Sequence, residues 1–103
     1  MTTVTTIEHL PVLLRETIEI LRPRSGGRYV DGTLGGGGHA EAILEASSPD
    51  GELLGIDWDE DARDRSAQRL ARFAPRLRIR AGAFGDVGER LHELGWEGAD
   101  GIL

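Results

Sequence analysis

A short apolar segment that leads into four consecutive glycines constrains the fold of this chain most strongly. Residues 28–31 read as a strand, Gly35 to Gly38 follow, and a helical pattern begins at His39. Glycine has no Cβ atom, so such a turn can adopt positive φ angles and approach a ligand closely. The free N–H groups at the start of the following helix then point at the ligand. The pattern is typical of a strand–turn–helix unit that binds a nucleotide-like cofactor.

A second apolar segment also ends in an acidic residue. Leu53 to Ile56 form a short apolar run, and Asp57 follows it. In nucleotide-binding βαβ units, a carboxylate about 20 residues after the glycine turn binds the ribose hydroxyl groups. Asp57 stands at about that distance from Gly38, so the spacing supports the same interpretation.

Strand and helix patterns alternate along the whole chain. Such alternation predicts an α/β fold with a mostly parallel sheet, flanked by helices and joined by right-handed crossovers. Ligands bind such sheets at the carboxyl ends of the strands. We therefore expect Gly35 to His39, Asp57 and the loop after Ala81 at one edge of the sheet. The predicted helices cover residues 11–21, 39–46, 59–73 and 86–94, and the predicted strands cover residues 28–31, 52–57, 76–81 and 99–103.

Composition narrows the function classes. The chain has 103 residues, enough for one small domain, and no cysteine, which excludes disulfides and thiolate metal sites. No apolar run is long enough to span a membrane, so we expect no membrane partner and a cytoplasmic protein. The net charge of −6 argues against a polyanionic partner, but all basic residues are arginine and seven lie between residues 63 and 80. A solvated helix face and strand edge explains that cluster better than an RNA-binding face.

The residue before the glycines separates two cofactor classes. Gly35-x-Gly37-x-x-Ala40 formally fits the dinucleotide pattern, so an NAD-binding oxidoreductase domain stays open. A pyrophosphate passing Asp31 would meet an unpaired carboxylate, however, whereas S-adenosylmethionine has no phosphate and carries an ammonium and a sulfonium. Because the chain has no lysine, a Walker-type phosphate loop is excluded.

Five separated motifs resemble one protein family. The chain is similar to the amino-terminal part of the bacterial small-subunit rRNA cytosine-N4 methyltransferases, the RsmH/MraW family. The resemblance implies a Rossmann-like class I methyltransferase fold and methyl transfer from S-adenosylmethionine to N4 of a cytosine in the decoding region of 16S rRNA. It covers nearly the whole chain, through His9-x-Pro11-Val12-Leu13-Leu14-x-Glu16, Tyr29-Val30-Asp31-x-Thr33-Leu34-Gly35-x-Gly37-Gly38-His39, Gly55-Ile56-Asp57-x-Asp59, Gly82-x-Phe84 and Asp100-Gly101-Ile102-Leu103.

The same resemblance implies roles for individual residues. Gly37, Gly38 and His39 would line the methionine end of the cofactor, Asp57 would accept both ribose hydroxyl groups, and Phe84 would lie against the adenine. Asp31 would assist at the ammonium group. From the residues alone, a helix-start role for His39 and a core position for Phe84 are the better interpretations, and the resemblance reverses both.

Family members continue beyond the fourth strand with an Asp-Leu-Gly-Val-Ser-Ser segment, a helical insert and further strands. The resemblance therefore implies that residues 1–103 are the amino-terminal part of a single methyltransferase domain. We expect no catalytic residue in this chain and no activity from it alone. The expected partner is 16S rRNA in the small ribosomal subunit, with no DNA.

Two further alternatives concern this segment as it stands. A non-catalytic module that binds cofactor or RNA without turnover stays open. Asp57-x-Asp59-x-Asp61 resembles the start of a calcium loop, but Ala62 and Gln68 stand where that loop needs Gly and Glu. We therefore expect no metal site.

Overall fold

The computed structural model describes residues 14–103, which form a single sheet with helices on both faces. The first motif of the family resemblance lies partly outside these residues, as does the predicted start of the first helix at residue 11. In chain order the elements are α1 (residues 14–21), β1 (Arg28–Asp31), α2 (Gly38–Ala46), β2 (Glu52–Asp57), α3 (Glu60–Arg69), β3 (Leu77–Ala81), α4 (Val87–Leu94) and β4 (Gly101–Ile102).

All four strands are parallel, in the order β3-β2-β1-β4. Asp31 at the end of β1 pairs in register with Gly55 of β2, and Asp57 at the end of β2 pairs with Ala81 of β3. The chain builds from β1 outward to β3 and then crosses to the other side of β1. The predicted α/β fold with a parallel sheet is confirmed, and the strand order reverses at β1, where such folds bind ligands.

Alternate residues of β1 and β2 serve two separate cores, as the two-residue period of a strand requires. Tyr29 and Leu53 pack under α2 and α3, while Val30, Leu54 and Ile56 pack against α4 and Trp96. Gly55 lies on the α2 side, where a Cβ atom would stand 2.5 Å from Cδ2 of Leu34. The glycine therefore leaves room for Leu34, which holds the β1–α2 loop down on the sheet.

The predicted boundaries of β1 and β2 are confirmed, and those of α2, β3 and α4 are correct within one residue. The prediction of one helix from Asp59 to Phe73 was wrong at its carboxyl end. The α-helix ends at Arg69, and Ala71–Phe73 form a separate 3₁₀ turn. This tighter turn brings both Leu70 and Phe73 into the same core, and Pro75 follows it.

Among residues 14–103, no helix is both long and apolar enough to cross a bilayer.

Candidate functional site

Two carboxylates end neighbouring strands on the same face of the sheet. Asp31 follows Tyr29 by two residues on β1, and Asp57 follows Gly55 by two residues on β2. Because side chains alternate between the faces, both acids project toward the side that carries α2 and α3. The prediction that β1 and β2 end in acids at one edge of the sheet is confirmed.

The Asp57 carboxylate is held by backbone donors on both of its oxygens. The N–H of Gly35 donates to Oδ2 at 3.0 Å, and the N–H of Asp59 donates to Oδ1 at 2.9 Å. These two hydrogen bonds favour the ionised form and lower the pKa of Asp57 below its usual range. Each oxygen keeps a further lone pair. The group is therefore a preformed anion that can still accept hydrogen bonds from a ligand.

The Asp31 carboxylate is in the opposite situation. It is 2% exposed, and only Oδ1 has a donor, the N–H of Thr33 at 3.1 Å. Oδ2 is the buried side-chain atom without a hydrogen-bond partner among the described residues. Burial raises the pKa of Asp31 to about 6, although the Thr33 hydrogen bond and the nearby His39 act in the other direction. A buried carboxylate oxygen without a partner is destabilised, and a bound cation or hydrogen-bond donor would stabilise it.

The glycine run makes the sharp turn from β1 into α2. Gly35 and Gly37 have φ angles of 54° and 89°, in the left-handed region that only glycine adopts freely. Gly37 is the residue before α2, and the N–H of Glu41 donates to its carbonyl. In the described part of the chain, the N–H groups of Gly38 and His39 donate to no protein acceptor. The start of α2 therefore offers free donors next to the two acids.

An open cleft between two aromatic side chains lies beside Asp57. Trp58 is 80% exposed and Phe84 is 60% exposed, and with Asp57 they line a cavity of about 170 Å³. A Cβ atom on Gly32 would stand 2.7 Å from Cδ1 of Phe84, so this glycine lets the ring lie against the end of β1. We call this space the aromatic cleft; Gly32, Thr33, Gly82 and Ala83 complete its lining.

A second, larger cavity lies on the other side of Thr33, which lines both. Its volume is about 390 Å³, and Gly38 and His39 form part of its wall. We call it the glycine-loop cavity; Leu14, Leu34, Gly35, Gly36 and Arg69 complete its lining. The two cavities adjoin along the carboxyl ends of β1 and β2.

The structure brings most of the predicted cofactor residues to these two cavities. Asp57 and Phe84 lie in the aromatic cleft, and Gly38 and His39 in the glycine-loop cavity. Gly37 lines neither; it is buried in the turn, where a Cβ atom would stand 3.3 Å from Leu70.

Sequence reasoning missed Trp58 and Thr33. The signal for Trp58 was its position directly after the strand-ending Asp57, at the carboxyl edge of the sheet. The only sequence signal for Thr33 was its position between Asp31 and the glycines.

The acidic series after β2 and the arginine cluster have structural partners. Asp59 caps α3, since its side chain accepts the N–H of Asp61. Arg72 pairs with Glu41, Arg78 with Glu52, and Arg76 donates to the carbonyl of Gly51 at 3.0 Å. These contacts tie the 3₁₀ turn after α3 and the strand β3 to α2 and β2. The cluster was predicted to be a solvated helix face and strand edge, and part of it therefore also holds these elements together. Among the described residues, no group of acidic or histidine side chains could hold a metal ion.

Comparison with known families identifies the chain. Residues 6–103 match the model of the MraW methylase family. The chain belongs to the MraW methylase family. It is 53% identical over 98 residues to ribosomal RNA small subunit methyltransferase H of Geobacter sulfurreducens, which covers 95% of the chain and 32% of that protein. The same-named protein of Symbiobacterium thermophilum is 50% identical over 95 residues, 92% of the chain and 30% of the relative.

The MraW family chain therefore spans about a third of the length of the curated relatives that it matches. The part matched includes both strand-ending acids, the glycine turn and the aromatic cleft, because it extends from residue 6 to residue 103.

Solved structures confirm the fold. The O-methyltransferase TomG of Streptomyces achromogenes, solved in complex with SAM, matches 87% of the MraW family chain with a TM-score of 0.68 and 25% identity; the match covers 40% of TomG. Fibrillarin of Aeropyrum pernix matches 77% of the chain and 33% of its own length, with a TM-score of 0.63 and 19% identity. The fold is the Rossmann-like fold of class I methyltransferases, as the sequence resemblance predicted.

Proposed function

We propose that this chain binds S-adenosylmethionine and is the cofactor-binding part of an enzyme that methylates N4 of a cytosine in the decoding region of 16S rRNA. The observation that carries the proposal is the family match over residues 6–103, which contains the complete glycine turn with its two acids. The curated relatives are named as small-subunit rRNA methyltransferases. Their substrate, the 16S rRNA of the small ribosomal subunit, is proposed here by extension, together with a cytoplasmic location, where that subunit is found.

The chemistry of the two acids suits this cofactor. S-adenosylmethionine supplies an electrophilic methyl group on a cationic sulfonium, and its methionine end carries an ammonium. The buried Oδ2 of Asp31, which has no partner among residues 14–103, would be stabilised by such a cation. The Asp57 carboxylate is ionised and keeps acceptor capacity for two hydroxyl groups.

We assign the remaining contacts to the two cavities. Gly38 and His39 would hold the methionine end from the glycine-loop cavity, with the free N–H groups of α2 donating to its carboxylate. Gly37, the third predicted contact, is buried in the turn that places them there. Phe84 would lie against the adenine, as the family resemblance implies. We add Trp58 as a second aromatic contact, because an exposed tryptophan and an exposed phenylalanine line the same cleft and each offers a stacking face.

We further propose that residues 1–103 form one part of a single methyltransferase domain and do not catalyse methyl transfer alone. Transfer requires the cytosine nitrogen to approach the methyl group in line, which depends on residues that position the base. No residue of this chain is assigned that role. The remaining two thirds of the relatives' length is where we expect those residues.

An NAD-binding domain is the second candidate, because Gly35-x-Gly37-x-x-Ala40 fits the dinucleotide pattern. The same buried Asp31 weighs against it. A pyrophosphate at the glycine turn would lie near a carboxylate oxygen that has no donor of its own among the described residues.

Isothermal titration of the chain with S-adenosylmethionine and, in parallel, with NAD tests the proposal. We expect saturable binding of S-adenosylmethionine only, lost in Asp57→Ala. Asp64→Asn is the matched control, since it removes an exposed carboxylate from α3 without touching either cavity. Binding of NAD, or a folded chain that binds neither ligand, would contradict the proposal.

A methyl-transfer assay with the small ribosomal subunit as acceptor tests whether this chain catalyses transfer alone. We expect no transfer by the 103-residue chain and transfer by a curated relative under the same conditions. Detectable transfer by this chain would contradict the assignment of catalysis to the rest of the enzyme.

A further inference from the structure

The glycine turn is fastened to α3 by two side chains that the proposed cofactor contacts do not include. The hydroxyl group of Ser66 donates to the carbonyl of Gly35 at 3.1 Å, and Nη1 of Arg69 donates to the carbonyl of Gly36 at 3.1 Å. The N–H of Gly35 is taken by Asp57 on the opposite side. Three successive peptide groups of the turn, from Leu34–Gly35 to Gly36–Gly37, are thus each held by one hydrogen bond to a residue of another element.

Packing strengthens the attachment. Ser66 is fully buried, and a Cβ atom on Gly37 would stand 3.4 Å from its Oγ and 3.3 Å from Cδ1 of Leu70. Gly37 therefore packs directly against the end of α3, the helix that carries Ser66 and Arg69. Leu70 belongs to the core under α2 and α3, so the surface that Gly37 contacts is rigid.

These bonds matter because glycine peptides rotate easily. A rotation of the Gly35–Gly36 or Gly36–Gly37 peptide group exchanges an N–H for a carbonyl oxygen at the same place, and glycine offers little steric resistance to it. A carbonyl oxygen turned toward the start of α2 would repel the carboxylate of a bound ligand. Holding both carbonyls on α3 keeps the free N–H groups available before the ligand arrives, and such preorganisation raises affinity.

We propose that Ser66 and Arg69 are positioning residues that hold the glycine turn in its binding-competent conformation. They do so by bonding the carbonyls of Gly35 and Gly36 from α3. The inference rests on the proposed function for its effect on S-adenosylmethionine binding. The fastening of the turn itself is a property of the ligand-free chain and can be measured without any ligand.

Arg72, which pairs with the same carboxylate as Arg69, provides a matched control. Nη2 of Arg69 pairs with Glu41 at 2.8 Å, and Arg72 pairs with the same carboxylate at 3.1 Å. Both arginines are about half exposed, but only Arg69 contacts the glycine turn. Arg72→Met therefore removes the ion pairs to Glu41 and Glu45 and leaves the turn fastened, whereas Arg69→Met removes one ion pair and the bond to Gly36.

Amide hydrogen exchange of the ligand-free chain tests the fastening. We expect Arg69→Met and Ser66→Ala to speed exchange of the Gly35 amide, which Asp57 protects, by about tenfold, since a loosened turn opens more often. Arg72→Met should leave its exchange unchanged. Unchanged exchange in both Arg69→Met and Ser66→Ala would overturn the proposal. Because Arg69 is half exposed, its variant should fold even if the Ser66 variant does not.

Calorimetric titration with S-adenosylmethionine tests the consequence. We expect about a tenfold loss of affinity in Arg69→Met, less than twofold in Arg72→Met, and partial recovery in Arg69→Lys, whose ammonium can still donate to a carbonyl. Equal affinity of Arg69→Met and Arg72→Met would overturn the positioning role. Failure of the unchanged chain to bind the cofactor would instead contradict the proposed function, and the exchange measurement would still decide whether α3 fastens the turn.

Discussion

The ends of β1 and β2 show how two identical side chains in equivalent positions acquire opposite properties. Asp31 and Asp57 both end a parallel strand on the same face of the sheet. Asp57 receives two backbone N–H donors and its pKa is lowered, whereas Asp31 receives one and burial raises its pKa to about 6. Each acid receives one donor from the loop that follows its own strand. The difference is the N–H of Gly35, which the loop between β1 and α2 supplies to Asp57 and not to Asp31.

Removing Asp57 should have the largest effect. In Asp57→Ala the N–H of Gly35 loses its acceptor and the proposed ribose contacts disappear together. We expect S-adenosylmethionine affinity to fall by about a hundredfold or more, because hydrogen bonds to a charged group are among the stronger ones. Calorimetric titration measures this, with Asp64→Asn as the control for the charge change. A loss below about tenfold would show that Asp57 is not a principal contact.

Replacing Asp31 by its amide should stabilise the ligand-free chain. Below pH 3.8 the Asp31 carboxyl group is protonated in both the folded and the unfolded chain. Between pH 3.8 and about 6 it ionises in the unfolded chain but stays protonated in the folded chain, so the free energy of unfolding falls as the pH rises. The rise of the Asp31 pKa from 3.8 to about 6 corresponds to about 3 kcal/mol of lost stability above this pH window. We expect Asp31→Asn to gain about 1–2 kcal/mol near neutral pH, since its new N–H₂ group lacks an acceptor.

Denaturant unfolding of this variant and the unchanged chain, across about pH 4 to pH 8, measures the effect. The difference between them should grow through the window from pH 3.8 to about 6 and then level off. Asp57 should contribute with the opposite sign, since its lowered pKa makes its stabilisation vanish as the pH falls below its usual range. A constant difference at every pH would mean that Asp31 is not the source of the change.

Cofactor binding should depend on pH through the same acid. The ammonium group proposed to pair with Asp31 prefers the ionised carboxylate, so S-adenosylmethionine affinity should rise by about tenfold between about pH 5 and pH 7. His39 and Asp57 are the other charged groups that act on Asp31. Titrations of the unchanged chain, Asp31→Asn and His39→Gln across this range separate them. A slope that persists in Asp31→Asn and disappears in His39→Gln would assign the dependence to His39.

The aromatic cleft should show the smallest effect, because each ring contributes one stacking face. We expect Trp58→Leu and Phe84→Leu each to weaken S-adenosylmethionine binding by about fivefold, in the range of single aromatic contacts. Trp58 is exposed in the cleft and Trp96 is buried in the α4 core, so the fluorescence change on binding should come from Trp58. A full fluorescence change in Trp58→Leu would contradict its place in the site.

Much of the fold could be predicted from the sequence because local patterns decided it. Three strands were predicted within a residue of their observed bounds. Two follow from the apolar runs that end in Asp31 and Asp57, and the third follows from the alternation in residues 76–81. Five motifs in the right order then indicated the family, which the match over residues 6–103 confirms. The helix predicted to run to Phe73 failed because packing of Leu70 and Phe73 in one core overrode the local helical pattern.

The sequence by itself determined that two acids and a glycine turn would meet at the carboxyl edge of a parallel sheet, because strand period and topology follow from residue order. Only the tertiary structure decided that one acid receives a donor on each oxygen and that the other has an oxygen without a partner among residues 14–103. One donor of Asp57 comes from Gly35, 22 residues away, and the other comes from its own loop. The contacts of Ser66 and Arg69 with the glycine turn also join distant elements. Such contacts leave no periodic signal, because they join residues by proximity in space and not by spacing along the chain.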